Sequence, residues 1–136
     1  MISDAAGTPL LIHTTPANVR DDMPAVAMVR QLPAVKQPPR GRPRRKPKEL
    51  IGDRGYGFPW IIAAIMLMRI VSLLCPRGSP HGSGLGKRRY VIERTMSWLG
   101  NFRRLKLCYE RTGEHFQGFH DLAACVLCAS KLADDG

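Results

Sequence analysis

Two carboxylates stand where side chains could do chemistry. Asp53 follows Leu50 and Ile51, a very short apolar run that reads as a strand, and Gly55 comes just after it. Glu93 lies in GKRRYVIERTMSWLGNFRRL, where Val91, Ile92, Met96, Leu99, Phe102 and Leu105 recur at helical spacing and mark a core-facing stripe. Arg89, Glu93, Ser97, Gly100 and Arg104 fall on another face of the same helix. A carboxylate at a strand end and a second on a later helix suit two-metal phosphoryl transfer. Mg²⁺ takes oxygen ligands, often one or two carboxylates plus substrate phosphates, and two ions can activate the attacking oxygen and stabilise the leaving one. Spacing alone leaves a plainer reading open. Arg89 and Glu93 are also an i,i+4 surface pair, worth roughly a few tenths of a kcal/mol.

Other constellations carry less. Cys125-x-x-Cys128 with His115 and His120 has zinc-ligand residue types, but both cysteines sit in an apolar helical pattern with Leu122, Ala123, Val126 and Ala129. Buried free cysteines there behave as small hydrophobes. Gly82–Lys87 is superficially P-loop-like and lacks the Ser or Thr after the lysine. Trp98 reads as helix packing rather than a base-stacking platform. Arg103, Arg104 and Lys106 are suited to backbone phosphates.

The elements that position these residues belong to a chain of 136 residues with 21 Lys+Arg against 11 Asp+Glu, a formal charge of +10. The length excludes a large multidomain enzyme, and the charge favours a polyanion partner. A β-like run, TPLLIHTTP, follows a turn at Asp4–Gly7. Asp21 and Asp22 are expected to cap a helix carrying Val26, Val29 and Leu32, which Pro33 ends. Residues 33–48 form a basic, Pro-rich loop containing Arg42, Arg44 and Arg45, either a solvated surface loop or a phosphate-contacting arm. Strands are expected at 50–51 and 70–75, a Gly/Ser loop at 77–88, and helices at 87–105 and 114–132. That order is an α/β domain, followed by a short tail at 133–136. Phe58–Cys75 is almost wholly apolar. Its uninterrupted part, Trp60–Met68, is much shorter than the roughly 20 residues a membrane span needs, and Arg69 would sit near the bilayer centre. A buried element is the plainer reading, with a small membrane-associated protein built on 58–75 as an alternative. No secretory signal is visible, so the four cysteines are expected reduced in a cytosol.

These residues support a resemblance. HGSGLGKRRYVIERTMSWL, NFRRLKLCYER and HFQGFHDLAACVLCASKL resemble the C-terminal part of bacterial insertion-sequence transposases of the DDE class. ELIGDRGYG resembles that family's strand bearing its second catalytic aspartate, and DAAGTPLLIHTTPANVRDD its preceding hairpin and loop. The resemblance covers most of residues 3–132. It implies a partial RNase H-like core, a mixed sheet with flanking helices. It further implies a site using Mg²⁺ or Mn²⁺, DNA cleavage at element ends and strand transfer. Asp53 would be the second catalytic aspartate and Glu93 the glutamate. Arg42, Arg44, Arg45, Arg89, Arg94, Arg103 and Arg104 would face DNA. The signature's tyrosine and lysine would fall at Gly86 and Gly100 and are absent, which weakens DNA-end contacts there. The family's first aspartate has no counterpart after Met1, so the expectation is a truncated remnant unable to transpose alone. The main alternative is a non-enzymatic basic nucleic-acid-binding protein. DNA is the implied partner, with self-association left open and no small-molecule substrate. The location implied is the bacterial cytoplasm, at the nucleoid. Family members usually carry a polar, Arg-rich helix where this chain has Trp60–Met68. Reading from the last base of the Trp60 codon gives Asp, then His, Tyr or Asn, and stays polar for most of its length. Residues 57–69 are therefore read as a pair of compensating frameshifts, which would leave an apolar segment on an exposed helix.

Overall fold

The computed structural model describes residues 1–37, 40–78 and 86–134. The chain forms two compact units, Asp21–Arg89 and the segments Met1–Arg20 with Tyr90–Gly136. In chain order the elements are β1 (Ile2–Ser3), β2 (Pro9–Leu11), α1 (Ala25–Arg30), β3 (Val35–Gln37), β4 (Gly41–Arg44) and β5 (Glu49–Gly52). A 3₁₀ turn (Arg54–Tyr56), α2 (Pro59–Leu67), β6 (Val71–Leu74), α3 (Gly86–Gly100), α4 (Arg103–Lys106) and α5 (Gly113–Asp134) follow.

The unit Asp21–Arg89 is built on β5–α2–β6. β5 and β6 pair in parallel, Glu49 opposite Val71 through Gly52 opposite Leu74. Parallel strands need a crossover, and α2 supplies it. Pro59 at its first turn lacks only an N–H that would have no helical partner there. Ile61 and Ile65, one turn apart, are 1% and 0% exposed. They are buried in this unit together with Met28, Val29, Leu32, Ile70 and Leu74. The opposite face of α2 is equally apolar and uncovered, with Leu67 86% and Met66 61% exposed. Arg69 ends the helix at φ 59°, a left-handed residue past the last turn. No described helix is long and apolar enough to cross a membrane, so the run at 58–75 divides into one short helix and one strand.

In the other unit, β1 and β2 form an antiparallel hairpin. The Asp4 carboxylate accepts the Ala6 and Thr8 N–H groups at 2.9 and 2.7 Å and closes its turn. Gly7 sits at φ +83°, where a Cβ would come within 2.7 Å of the Thr95 hydroxyl. That hydroxyl, on α3, donates to the Gly7 carbonyl at 2.7 Å and is wholly buried. Lys131 of α5 donates to the Ala6 carbonyl at 2.8 Å. Gln117 of α5 donates to the Ile12 carbonyl at 2.9 Å and accepts the Thr14 N–H at 2.8 Å. Ile12, Leu99 and Ala123 make the core, with Met1, Phe102, Leu105, Ala124 and Leu127 packed against it.

The α/β class holds, with small sheets and flanking helices. Several expectations differ in detail. Among the described residues the strands form three two-stranded sheets rather than one mixed sheet. Strands of two to four residues offer few ladder bonds each. Residues 33–48 are not simply a loop, because β3 and β4 pair as a hairpin. Asp21 and Asp22 do not cap α1. Its cap residue is Pro24, with no side-chain bond. The helix expected over 87–105 stops at Gly100 and resumes as α4, with glycine and asparagine, both weak helix formers, at the break. In the expected stripe, Leu99 is buried but Met96 is 53% exposed, and Thr95 takes the deepest position. α5 runs on to Asp134, two residues beyond its expected end. Residues 79–85 of the Gly/Ser loop, which hold the start of the P-loop-like stretch, lie outside the described residues, as do Asp135 and Gly136.

Candidate functional site

Asp53 lies directly past the C-terminal end of β5, in extended backbone at φ −73° and ψ 164°. Its Oδ1 accepts the Arg54 N–H at 2.6 Å and so starts the 3₁₀ turn that ends at Tyr56. The same oxygen accepts from the Arg89 guanidinium at 3.3 Å. The carboxylate is 73% exposed and the guanidinium 28%, so the pair adds little stability. What it does is aim the carboxylate. Arg88, the preceding residue of α3, bonds Glu49 at 2.6 Å. Consecutive arginines thus hold carboxylates at the two ends of β5. Gly57 follows the turn so closely against β6's continuation that a Cβ would run into the Cys75 carbonyl.

Tyr56 completes these surroundings. Burial raises its phenol above the ordinary value, and the negative charges of Asp21, Asp53 and Asp22 raise it further. Three aspartates therefore act on one hydroxyl. Asp22 is buried, which a reading of Asp21 and Asp22 as loop or capping acids does not anticipate.

Glu93 belongs to the other unit, on the exposed face of α3 as its spacing predicted. Arg94 is placed differently from a DNA-facing arginine. Its guanidinium donates to the Ala6 carbonyl at 3.2 Å. It stacks 4.9 Å from the Trp98 ring and 5.9 Å from that of Tyr90. Trp98 is also approached by Lys131 at 5.9 Å, so it is a packing residue, as expected. Arg103 is exposed on α4. Arg104 pairs with Glu110 at 3.4 Å and covers the Phe119 ring at 4.9 Å. With Tyr109 these two arginines line an open depression of about 420 Å³. Arg42, Arg44 and Arg45 are exposed in and just after β4.

Asp53 and Glu93 are hard oxygen donors of the kind Mg²⁺ or Mn²⁺ takes. Among the described residues, however, no group of three His, Cys, Asp or Glu is placed to hold a metal ion. The zinc reading fails on that ground. His120 is turned to the Phe116 carbonyl at 3.0 Å, and all four cysteines are free thiols. Cys125 is exposed rather than buried. Cys128 points at the Pro9 carbonyl, its thiol raised by burial and by Cys125. Sequence reasoning missed Arg88, Glu49 and the surroundings of Tyr56. Only Tyr56 had a signal, the Asp-Arg-Gly-Tyr run.

The family follows from comparison with known proteins. The model of the transposase DDE domain matches residues 1–128, and the chain belongs to the DDE transposases. A Burkholderia cepacia protein named "Putative transposase for insertion sequence element IS402" is 36% identical over 132 residues, 97% of this chain. The chain spans 62% of the length of that relative. No solved structure matches.

Proposed function

We propose that this chain is part of the catalytic domain of an insertion-sequence transposase, with an RNase H-like origin for its β5–α2–β6 unit. In this reading Asp53 and Glu93 are two of the acids that hold divalent metal ions for DNA strand cleavage and transfer. Arg89 acts as the positioning residue for Asp53. The observation that carries the reading is Asp53 itself, an exposed carboxylate at the end of a parallel strand, clamped by an arginine from the helix that bears Glu93. Such placement serves chemistry better than stability, because an exposed pair contributes little to folding.

The expectation under test is that this chain binds DNA and does not cut it unaided. The test is cleavage of an element-end duplex by the purified chain in Mg²⁺ or Mn²⁺. Binding without nicking is the expected result. Robust nicking that Asp53→Ala abolishes would show that these residues suffice. A purely nucleic-acid-binding role is the second reading, favoured by the cations of β3 and β4, and metal-dependent nicking of any kind would exclude it.

A further inference from the structure

Among the described residues, the stretch from Val35 to Lys48 contributes nothing to the core of its unit. β3 and β4 pair antiparallel, with Val35 opposite Arg44 and Gln37 opposite Gly41. The register shifts between those pairs, so β4 carries one residue more than β3 across the interval, a bulge that re-aims side chains around Arg42 and Pro43. Every residue of β4 is exposed, and so are Val35, Lys36, Arg45, Lys46 and Lys48. An isolated two-stranded hairpin is marginal at best in water.

Its charge makes it less stable still. Lys36, Arg40, Arg42, Arg44, Arg45, Lys46 and Lys48 supply seven positive charges with no acid between them, against a net +10 for the whole chain. None of the seven has an ion pair or side-chain hydrogen bond among the described residues. Like charges on paired strands repel. Guarding an edge strand needs a lysine or a proline, and seven unneutralised cations go well beyond that. A dense polyanion would remove the repulsion and give the ribbon the partner surface it lacks.

We propose that the β3–β4 ribbon, with Arg45–Lys48 after it, is a docking element for duplex DNA that neutralises backbone phosphates through Arg42, Arg44 and Arg45. Three features select this partner. A two-stranded ribbon fits the major groove of a duplex. Guanidinium forks match phosphate oxygens. No aromatic residue occurs between Pro33 and Ile51, whereas single-strand binding leans on aromatic stacking. The contacts are to the backbone, so they carry no sequence information. The proposal rests on the transposase reading only for the choice of polyanion.

The experiment measures binding of the full chain and of R42Q/R44Q/R45Q to a random-sequence duplex across a salt series. Each phosphate contact contributes about 0.9 to the slope of log affinity against log salt. Between 50 and 200 mM salt, the wild type should therefore lose about 40-fold more affinity than the variant. The loss should be equal on an element-end duplex. An unchanged slope overturns the proposal, and so does a loss confined to element ends or an equal loss on single-stranded DNA. Circular dichroism and thermal melting should show the variant folded. Should it not fold, Arg42→Gln and Arg44→Gln singly should each lower the slope by about 0.9. Binding through the ribbon without metal-dependent nicking keeps this inference while removing the catalytic reading. Nicking with an unchanged slope does the reverse.

Discussion

The hydroxyl of Thr95 ties α3 to a hairpin that begins the chain, 88 residues earlier. It donates to the Gly7 carbonyl with no exposed surface, so its loss strands a buried acceptor. Thr95→Val keeps the shape and should cost about 1–3 kcal/mol in denaturant unfolding. Tyr56 makes a second prediction. Its phenol is raised by burial and three aspartates, so the folded state keeps a proton that the unfolded state releases near pH 10. Stability should be whole below that pH and fall as pH rises toward the folded value. Tyr56→Phe should flatten the decline in melting temperature between neutral pH and pH 11, relative to wild type. The residues whose spacing is local were legible in the sequence. Glu93 lies on the exposed face its i,i+4 pattern marks, and Asp53 lies at a strand end. Arg94 was not legible as a clamp. Its partner at Ala6 is far away in the chain, and no local pattern reports such a pairing.

At the scale of elements, the β5–α2–β6 unit could be read from two short apolar strands around an apolar run. The β3–β4 hairpin could not, because prolines and arginines give none of the alternation that marks a half-buried strand. α2 shows both sides of the frameshift proposal for residues 57–69. Its outer face is apolar and exposed at Trp60, Met66 and Leu67, while Ile61 and Ile65 fill the core. The nucleotide sequence decides: a shifted frame without a polar, Arg-rich helix ends the idea. The helix stop is a separate matter. Arg69 holds a left-handed conformation at φ 59°, which costs a non-glycine residue about 1–2 kcal/mol. Arg69→Gly should raise unfolding stability by about 0.5–1 kcal/mol, read from the denaturant midpoint at constant m-value.

Over the whole molecule, net charge and apolar surface pull in opposite directions. A formal charge of +10 keeps copies apart by repulsion. Yet Leu67 and Met66 on α2, and Leu122 and Val126 on α5, leave apolar side chains in water. Salt that screens the repulsion should therefore promote association. M66K/L67K should shift the onset of light scattering to higher salt, with the melting temperature within a degree or two of wild type. Composition made the charge legible from the start. The uncovered faces were not, because helical periodicity marks a stripe without telling which stripe finds a neighbour.

One unit is assembled from both ends of the chain, Met1–Arg20 and Tyr90–Gly136, with all of Asp21–Arg89 inserted between them. That arrangement sets an order of events in time. The inserted unit makes its own strand pairings, β3 with β4 and β5 with β6, and such local contacts form early. The first hairpin leaves the ribosome with its anchors, Thr95, Gln117 and Lys131, still unmade. It must wait until the residues up to Lys131 have been synthesised, and then bear the entropy of closing a loop that long. During that wait Ile12 has no core to enter. Any nascent copy that stalls before α5 leaves the β1–β2 hairpin without its α5 anchors, open to proteases and chaperones.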